Sequence, residues 1–532
     1  MKKQLAALLG TTLAISIAAV VPPAQAGEGA KLRPQPASIQ APLRWSGCTS
    51  PDLKGLECAT LTVPLDYANP TGAKAHLAIT RLLHSSSAAD YQGVMIGNPG
   101  GPGGSGTWLP YLAGYVPGSS ASTYDWIGFD PRGVGGSTPT LRCRPHYFKV
   151  NRPPYVPWTS RLMGIWRKRS ADYATSCSRA PGRAILEHVK TTDTVQDLET
   201  LRVALGQDRI NYYGFSYGTY IGQVYATLHP DRVGRFVFDG VVDPSRIWYP
   251  ASLDQDIAFG VAMTSFWKWM AKNHSTYGVS SNWRTIRHGY YHEIGRLKRH
   301  PWRHRLGADE LNGAMVGAGY YVYGWEATAV AFSKLRHKHN GGPMLALYKQ
   351  GDFADENGYA IYNATQCSDA QWPQSWRSWI DDTWNIHVQR PFLAWNNTWY
   401  NAPCFTWPAT PSTPVNVTGS AVHAPILLVN ETRDAATPYS GALEVRRRFP
   451  KSSLIAGIGG TTHAGSLSGV SCTDDAIAAY LTDGTVPTRT SGDGYDLGCP
   501  PVPAADPTAR QRSSRQGLPM HLRQKLMRAN QH

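Results

Sequence analysis

The 532-residue sequence has no Cys-x-x-Cys pair and no His/Cys spacing suited to a metal ion, which argues against zinc and thiol-redox chemistry. Nor does it carry a nucleotide-phosphate loop, so no cofactor is expected. Beyond residue 26 no stretch approaches eighteen uninterrupted apolar residues. A membrane span is therefore not expected in the mature chain. Acidic residues are scarce: 37 Asp and Glu stand against 52 Lys and Arg, a formal charge of +15.

The excess of positive charge is concentrated in two places. Arg284 to Arg305 holds seven Arg or Lys against Glu293, and the stretch from Ala505 carries Arg510, Arg512, Arg515, Arg523, Lys525 and Arg528 against Asp506. In an exported chain such runs meet anionic cell wall or solvent, and no specific nucleic-acid partner is expected. Export is indicated by the opening residues. Lys2 and Lys3 precede an apolar run to Val21, then Pro22, Pro23 and the small-residue site Ala24-Gln25-Ala26. This pattern predicts a cleaved signal peptide with Gly27 as the mature start, after which the charge is +13 without Lys2 and Lys3. Eight cysteines follow it, an even number that favours disulfides in an oxidising compartment. Sequence leaves the connectivity open, and neighbour pairing is the expectation: 48 with 58, 143 with 177, 367 with 404, 472 with 499.

Strand and helix signals alternate along much of the chain. Residues 61–67 and 75–82 read as early antiparallel strands, and Gly93 to Gly97 as a buried strand running into Asn98-Pro-Gly-Gly-Pro-Gly-Gly-Ser-Gly106. Asp125 to Phe129, Ile210 to Tyr212, Val233 to Asp239 and Ala424 to Asn430 read as further strands, with Ser453 to Ile458 as the last. A helix over Val195–Leu205 and another up to about His229 lie between them. The pattern predicts an α/β-hydrolase fold, a mostly parallel sheet with helices on both faces. Residues 245–414 differ in texture, crowded with aromatics such as Trp267, Tyr290, Tyr320 and Trp325, and read as a large helical cap inserted into the sheet domain. The organisation expected is a signal peptide over 1–26, a flexible leader over 27–42, core over 43–244, cap over 245–414, core over 415–504 and a flexible basic tail over 505–532.

The candidate chemistry centres on Gly214-Phe-Ser-Tyr-Gly218. A five-residue Gly-x-Ser-x-Gly is common by chance in a glycine-rich chain, but here a strand precedes it and an amphipathic helix follows. That context makes Ser216 a candidate nucleophile at the carboxyl edge of the sheet. Asp434 follows one later strand and His463 the next, the chain order of an α/β-hydrolase triad. The candidate oxyanion donors are the backbone N–H groups of Tyr217 and of Gly101 in the glycine-rich loop. An acid at position 216 would be needed for epoxide hydrolase or dehalogenase chemistry, and a serine stands there.

Taken together, the Asn98–Gly106 loop, Asp130-Pro-Arg-Gly133, the serine motif, Asp239-Gly-Val-Val-Asp-Pro244, Asp434 with Thr437-Pro438, and His463 resemble the secreted bacterial tripeptidyl aminopeptidases, relatives of the prolyl iminopeptidases. The resemblance spans roughly Leu43 to Cys499. It implies release of short peptides, often tripeptides, from free N-termini, with the cap closing the site beyond the substrate amine. Ala435 stands where a proline often follows the acid, and Thr462 and Ala464 flank the histidine in place of glycines. A free ammonium calls for carboxylates in the cap, where Asp352, Asp355, Glu356 and Asp369 cluster; Glu356 and Asp369 are the nominated residues. An esterase or thioesterase on the same fold, and a non-catalytic wall-associated binding protein, are the alternative functions.

Overall fold

A computed structural model describes residues 42–351, 356–508 and 517–530. The expected signal peptide, nearly all of the expected leader, Asp352 and Asp355 lie outside the described residues. Ten strands form one sheet: β1 (Ser46–Gly47), β2 (Glu57–Pro64), β3 (Lys74–Leu82), β4 (Val94–Asn98), β5 (Asp125–Phe129), β6 (Ile210–Phe215), β7 (Val233–Asp239), β8 (Ile426–Glu431), β9 (Ser452–Gly457) and β10 (Leu497–Cys499). Their spatial order is β1-β2-β3-β5-β4-β6-β7-β8-β9-β10. From β5 to β10 every pairing is parallel, while β1, β2 and β3 pair antiparallel, as β3 does with β5.

Side chains on the central strands alternate between two apolar layers, as the two-residue period of a strand requires. Tyr212, Phe236, Phe238, Leu428 and Leu454 enter one layer. Tyr213, Phe215, Val237, Val429 and Ile455 enter the other. Burial of each such aliphatic or aromatic side chain is worth about 1.5–3 kcal/mol, which fixes the register that brings Ser216 to the sheet edge.

Residues 245–414 contribute to two cores. Helices Tyr249–Lys272, Trp283–Arg299, Ala308–Tyr320 and Trp325–Lys338 share a core of their own built on Phe259, Trp267, Tyr290 and Trp325. Helices Glu356–Asp369, Trp376–His387 and Ala394–Asn401 instead send Tyr359, Trp379, Trp395 and Trp399 into the layer beneath the sheet.

Two expectations are corrected. The strand after Gly457 is not absent: β10 adds parallel to β9, and its Cys499 is stapled to Cys472. Three residues carry too little periodicity to announce a strand. Within the expected flexible tail, Met520–Asn530 is a helix that buries Leu522, Leu526 and Ala529. Leu522, Leu526 and Ala529 form one apolar face at helical spacing, and this outweighs the interleaved Arg523, Lys525 and Arg528.

Four disulfides join Cys48–Cys58, Cys143–Cys177, Cys367–Cys404 and Cys472–Cys499, the neighbour pairing expected. They suggest an exported protein. No helix among the described residues is long and apolar enough to cross a membrane.

Candidate active site

The backbone at Ser216 is held in a conformation that a serine adopts only under constraint. Its φ is +53°, at the corner where β6 ends and the helix Tyr217–Leu228 begins. Three contacts impose the corner: Ser216 N–H donates to the Asp239 carbonyl at 2.9 Å, and the Ser216 carbonyl accepts from Thr219 N–H at 2.8 Å and its hydroxyl at 2.7 Å. Neighbouring backbone crowds in so closely that a methyl at Gly218 would lie 2.7 Å from the Asn98 carbonyl. Strain of this kind persists where surrounding structure over-determines it.

The glycine-rich loop after β4 folds over the same corner. Asn98 Oδ1 accepts from Gly100 N–H at 2.9 Å, and a methyl at Gly100 would fall 2.8 Å from Ser216 Cβ. Farther along, Asp130 anchors the loop by accepting from the Ser105 hydroxyl at 2.7 Å and Gly106 N–H at 2.9 Å, and it also takes Gly136 N–H at 2.8 Å. Arg132 in the same motif is wholly buried and makes a paired contact to Asp197, at 2.7 and 2.6 Å. The Asp-Pro-Arg-Gly motif thus builds the platform and touches no reacting atom. Gly101 N–H points toward Ser216's cavity, where it donates to Asn530 Oδ1 at 3.2 Å. Tyr217, the first residue of the helix, lines that cavity too.

Asp434 and His463 are paired and fully buried. His463 Nδ1 lies 2.8 Å from Asp434 Oδ2, which also accepts from the Thr437 hydroxyl at 2.9 Å; Asp434 Oδ1 accepts from Ala436 N–H at 2.9 Å and Thr437 N–H at 3.1 Å. The carboxylate is committed as an acceptor on both oxygens. A proton on Nδ1 is therefore the consistent assignment, and it leaves Nε2 as the basic nitrogen. Nε2 is buried with no hydrogen-bond partner among the described residues. The His463 backbone N–H donates to the Tyr320 carbonyl at 2.8 Å, so the end of the helix Ala308–Tyr320 holds the histidine loop in place.

Two further carboxyls stand behind the pair, and the sequence reading assigned them no role. Asp239 accepts from Ser466 N–H at 2.8 Å, and burial pushes its carboxyl up to about 6 despite that bond and the nearby His463. Glu431 accepts from Val502 N–H at 2.6 Å and from Thr462 N–H. Burial, with the like charges of Asp434 and Asp239 adding to it, pushes Glu431 up to about 8 against those two bonds. Because the folded pKa is raised, the folded state retains this proton when the unfolded chain has lost it. Its stabilisation is full below about 4.5 and is lost as pH rises through about 8. Replacing Glu431 by Gln is expected to flatten the dependence of Tm on pH across that window, measured by thermal unfolding of both proteins in matched buffers.

The two nominated amine-binding residues are elsewhere. Glu356 is buried and accepts from Cys143 N–H and Arg144 N–H, each at 2.8 Å, and from the Tyr173 hydroxyl at 3.0 Å. Asp369 accepts from Thr191 N–H at 2.7 Å, the Thr191 hydroxyl at 2.5 Å and Trp248 Nε1 at 3.2 Å; burial pushes it up to about 6. Neither lines the cavity at Ser216, and both serve as internal acceptors for backbone and side-chain donors. Among the described residues, the carboxylates that line it are Asp243 and Asp254, with Arg246 between them. Arg246 grips Asp254 at 2.7 and 2.9 Å, whereas Asp243 takes the Ser245 N–H and hydroxyl on one oxygen. Asp243 sits in the Asp239–Pro244 motif, which the sequence reading quoted without assigning it a site.

A strained serine at a strand-to-helix corner, followed in the chain by a histidine–aspartate pair at the ends of two later parallel strands, is the arrangement of an α/β-hydrolase. Residues 93–277 match the family described as alpha/beta hydrolase fold, and residues 390–493 match the family described as TAP-like protein. The chain is 38% identical over 481 residues to a tripeptidyl aminopeptidase of Streptomyces lividans, covering 87% of this chain and 88% of that one. It is 28% identical to the serine protease Hip1 of Mycobacterium tuberculosis, covering 86% and 92%, and 28% identical to carboxylesterase B of the same organism, covering 85% and 90%. The chain belongs to the tripeptidyl aminopeptidase family, within the α/β-hydrolases, and is a serine hydrolase.

Proposed function

We propose that this protein is an exported serine exopeptidase that releases short peptides, tripeptides foremost, from free N-termini. The observation that carries the reading is the Ser216 corner combined with the His463–Asp434 pair in a chain of this family. Ser216 Oγ attacks the scissile carbonyl while His463 Nε2 takes its proton; the imidazolium formed is stabilised by Asp434. The oxyanion is received by Tyr217 N–H and Gly101 N–H, at the positive end of the helix. His463 then protonates the leaving amine, and water, activated by the same nitrogen, resolves the acyl-enzyme.

Recognition of the substrate ammonium falls to Asp243, since Asp254 is already neutralised by Arg246. Asp243→Asn is expected to raise KM for a free-amine tripeptide anilide about tenfold, a loss of about 1.4 kcal/mol, with kcat little changed. The same variant should leave the kinetics of an N-acetylated or simple ester substrate unaltered. A series of anilides bearing one, two or three residues tests the length preference, with the three-residue member fastest. Export with cleavage after Ala26 accompanies this reading, checked by the mass of the protein recovered from medium. Electrostatic contact of the basic surface with anionic cell wall also belongs to it.

An esterase is the second reading, favoured by the similarity to carboxylesterase B. It needs no ammonium site. Rapid turnover of simple acyl esters with no turnover of any free-amine peptide would replace the peptidase reading by this one.

A further inference from the structure

The helix Met520–Asn530 is placed against both halves of the catalytic apparatus. At its far end Asn530, only 4% exposed, turns its side-chain oxygen onto Gly101 N–H at 3.2 Å and lines the cavity that holds Ser216. Ala529 packs on the same loop so closely that a methyl at Gly104 would lie 2.6 Å from its Cβ. The near end is fastened to the histidine loop, where Leu518 N–H donates to the Leu467 carbonyl at 3.0 Å, and to the turn after Tyr320, where the Arg523 guanidinium lies 4.3 Å from the centre of the Tyr323 ring. Between these points Leu522 and Leu526 fill the apolar layer that contains Tyr213 and Phe215 of β6.

An amide carbonyl accepting from an oxyanion-hole N–H presents the same group as the scissile carbonyl of a substrate. The two compete for one donor. A substrate carbonyl within reach of Ser216 needs Gly101 N–H, and that hydrogen bond is already satisfied from within the chain. Asn530 Nδ2 donates to the Leu526 carbonyl at 3.2 Å, which orients the amide with its oxygen toward Gly101. We propose that the segment 517–530 is an autoinhibitory element, a substrate mimic that occupies the oxyanion hole through Asn530 and must be displaced or removed for turnover. The proposal rests on the reading of Ser216 and Gly101 as catalytic groups.

Four proteins test it: the full chain, Asn530→Ala, Asn530→Asp, and a chain ending at residue 516, each assayed with a tripeptide anilide alongside its Ser216→Ala counterpart. Asn530→Ala and the shortened chain are expected to raise kcat/KM at least tenfold over the full chain. Asn530→Asp retains an acceptor oxygen and should remain as slow as the parent. A synthetic peptide of residues 517–532 added to the shortened chain should inhibit competitively, raising apparent KM with kcat unchanged. If Asn530→Ala is no faster than the full chain while Ser216-dependent turnover is present, the autoinhibitory role is overturned and the hydrolase reading stands; the helix is then a buttress for the loop. Should the shortened chain fail to fold, as judged by loss of its thermal transition, the Asn530 pair alone decides. Absence of Ser216-dependent turnover in every protein overturns both.

Discussion

Ser216→Ala is expected to lower kcat by about a millionfold while leaving KM and Tm nearly unchanged. The size follows from the way a nucleophile and its base act as a unit: once Oγ is gone, His463 and Asp434 have nothing to activate, and only the oxyanion donors and binding contacts still favour reaction over water. The stability expectation follows from geometry. The corner is imposed through the backbone, by Asp239 and Thr219, and alanine keeps the Cβ that Ser216 already fits there. Single-turnover rates with a tripeptide anilide and thermal unfolding of both proteins provide the check. A loss of less than about ten-thousandfold would mean that another group attacks, since removing a general acid–base contribution alone costs about a hundred- to ten-thousandfold.

Asp434→Asn is expected to cost about ten-thousandfold in kcat with the fold intact. Asparagine Oδ1 can still accept from Ala436 N–H and Thr437 N–H, the two bonds that hold the loop. The other position changes character. Where Oδ2 now accepts from His463 Nδ1, an amide would present N–H groups, so Nδ1 must become the acceptor and the ring proton moves to Nε2. The imidazole then faces Ser216 with a donor and cannot take its proton. The variant should also label far more slowly with a fluorophosphonate, and raising pH should restore part of the rate by supplying alkoxide directly. Unchanged kcat would show that Asp434 merely braces the Thr437 turn.

The residues proposed as the chemical centre each carry a local signal in the sequence. Ser216 sits in a glycine-bounded corner between a β-branched and aromatic strand and an apolar helix, and Asp434 and His463 follow strands whose burial is written as continuous apolar runs. The disulfides were legible because each pair closes a short loop. What escaped was decided by tertiary contacts. Glu356 and Asp369 looked like available acids, yet the fold draws both inward to accept N–H groups from Cys143, Arg144 and Thr191. Asp243, in a motif already quoted, reached the cavity instead. Asn530 carries no local signal, since nothing about an asparagine in a basic stretch announces that its amide will meet Gly101 some 429 positions away. The charge of Arg523, Lys525 and Arg528 suggested solvent, and the apolar series Leu522, Leu526 and Ala529 between them decided otherwise.

We propose above that Ser216 serves a peptidase that reads a free amino terminus. It is tested most directly by initial rates on one tripeptide anilide presented with a free and with an acetylated amino group, for the parent protein and Ser216→Ala. Expected are release of anilide from the free-amine substrate, at least tenfold slower release from the acetylated one, and none above background from the variant. Equal rates on the two substrates, or release that survives loss of Ser216, would contradict it.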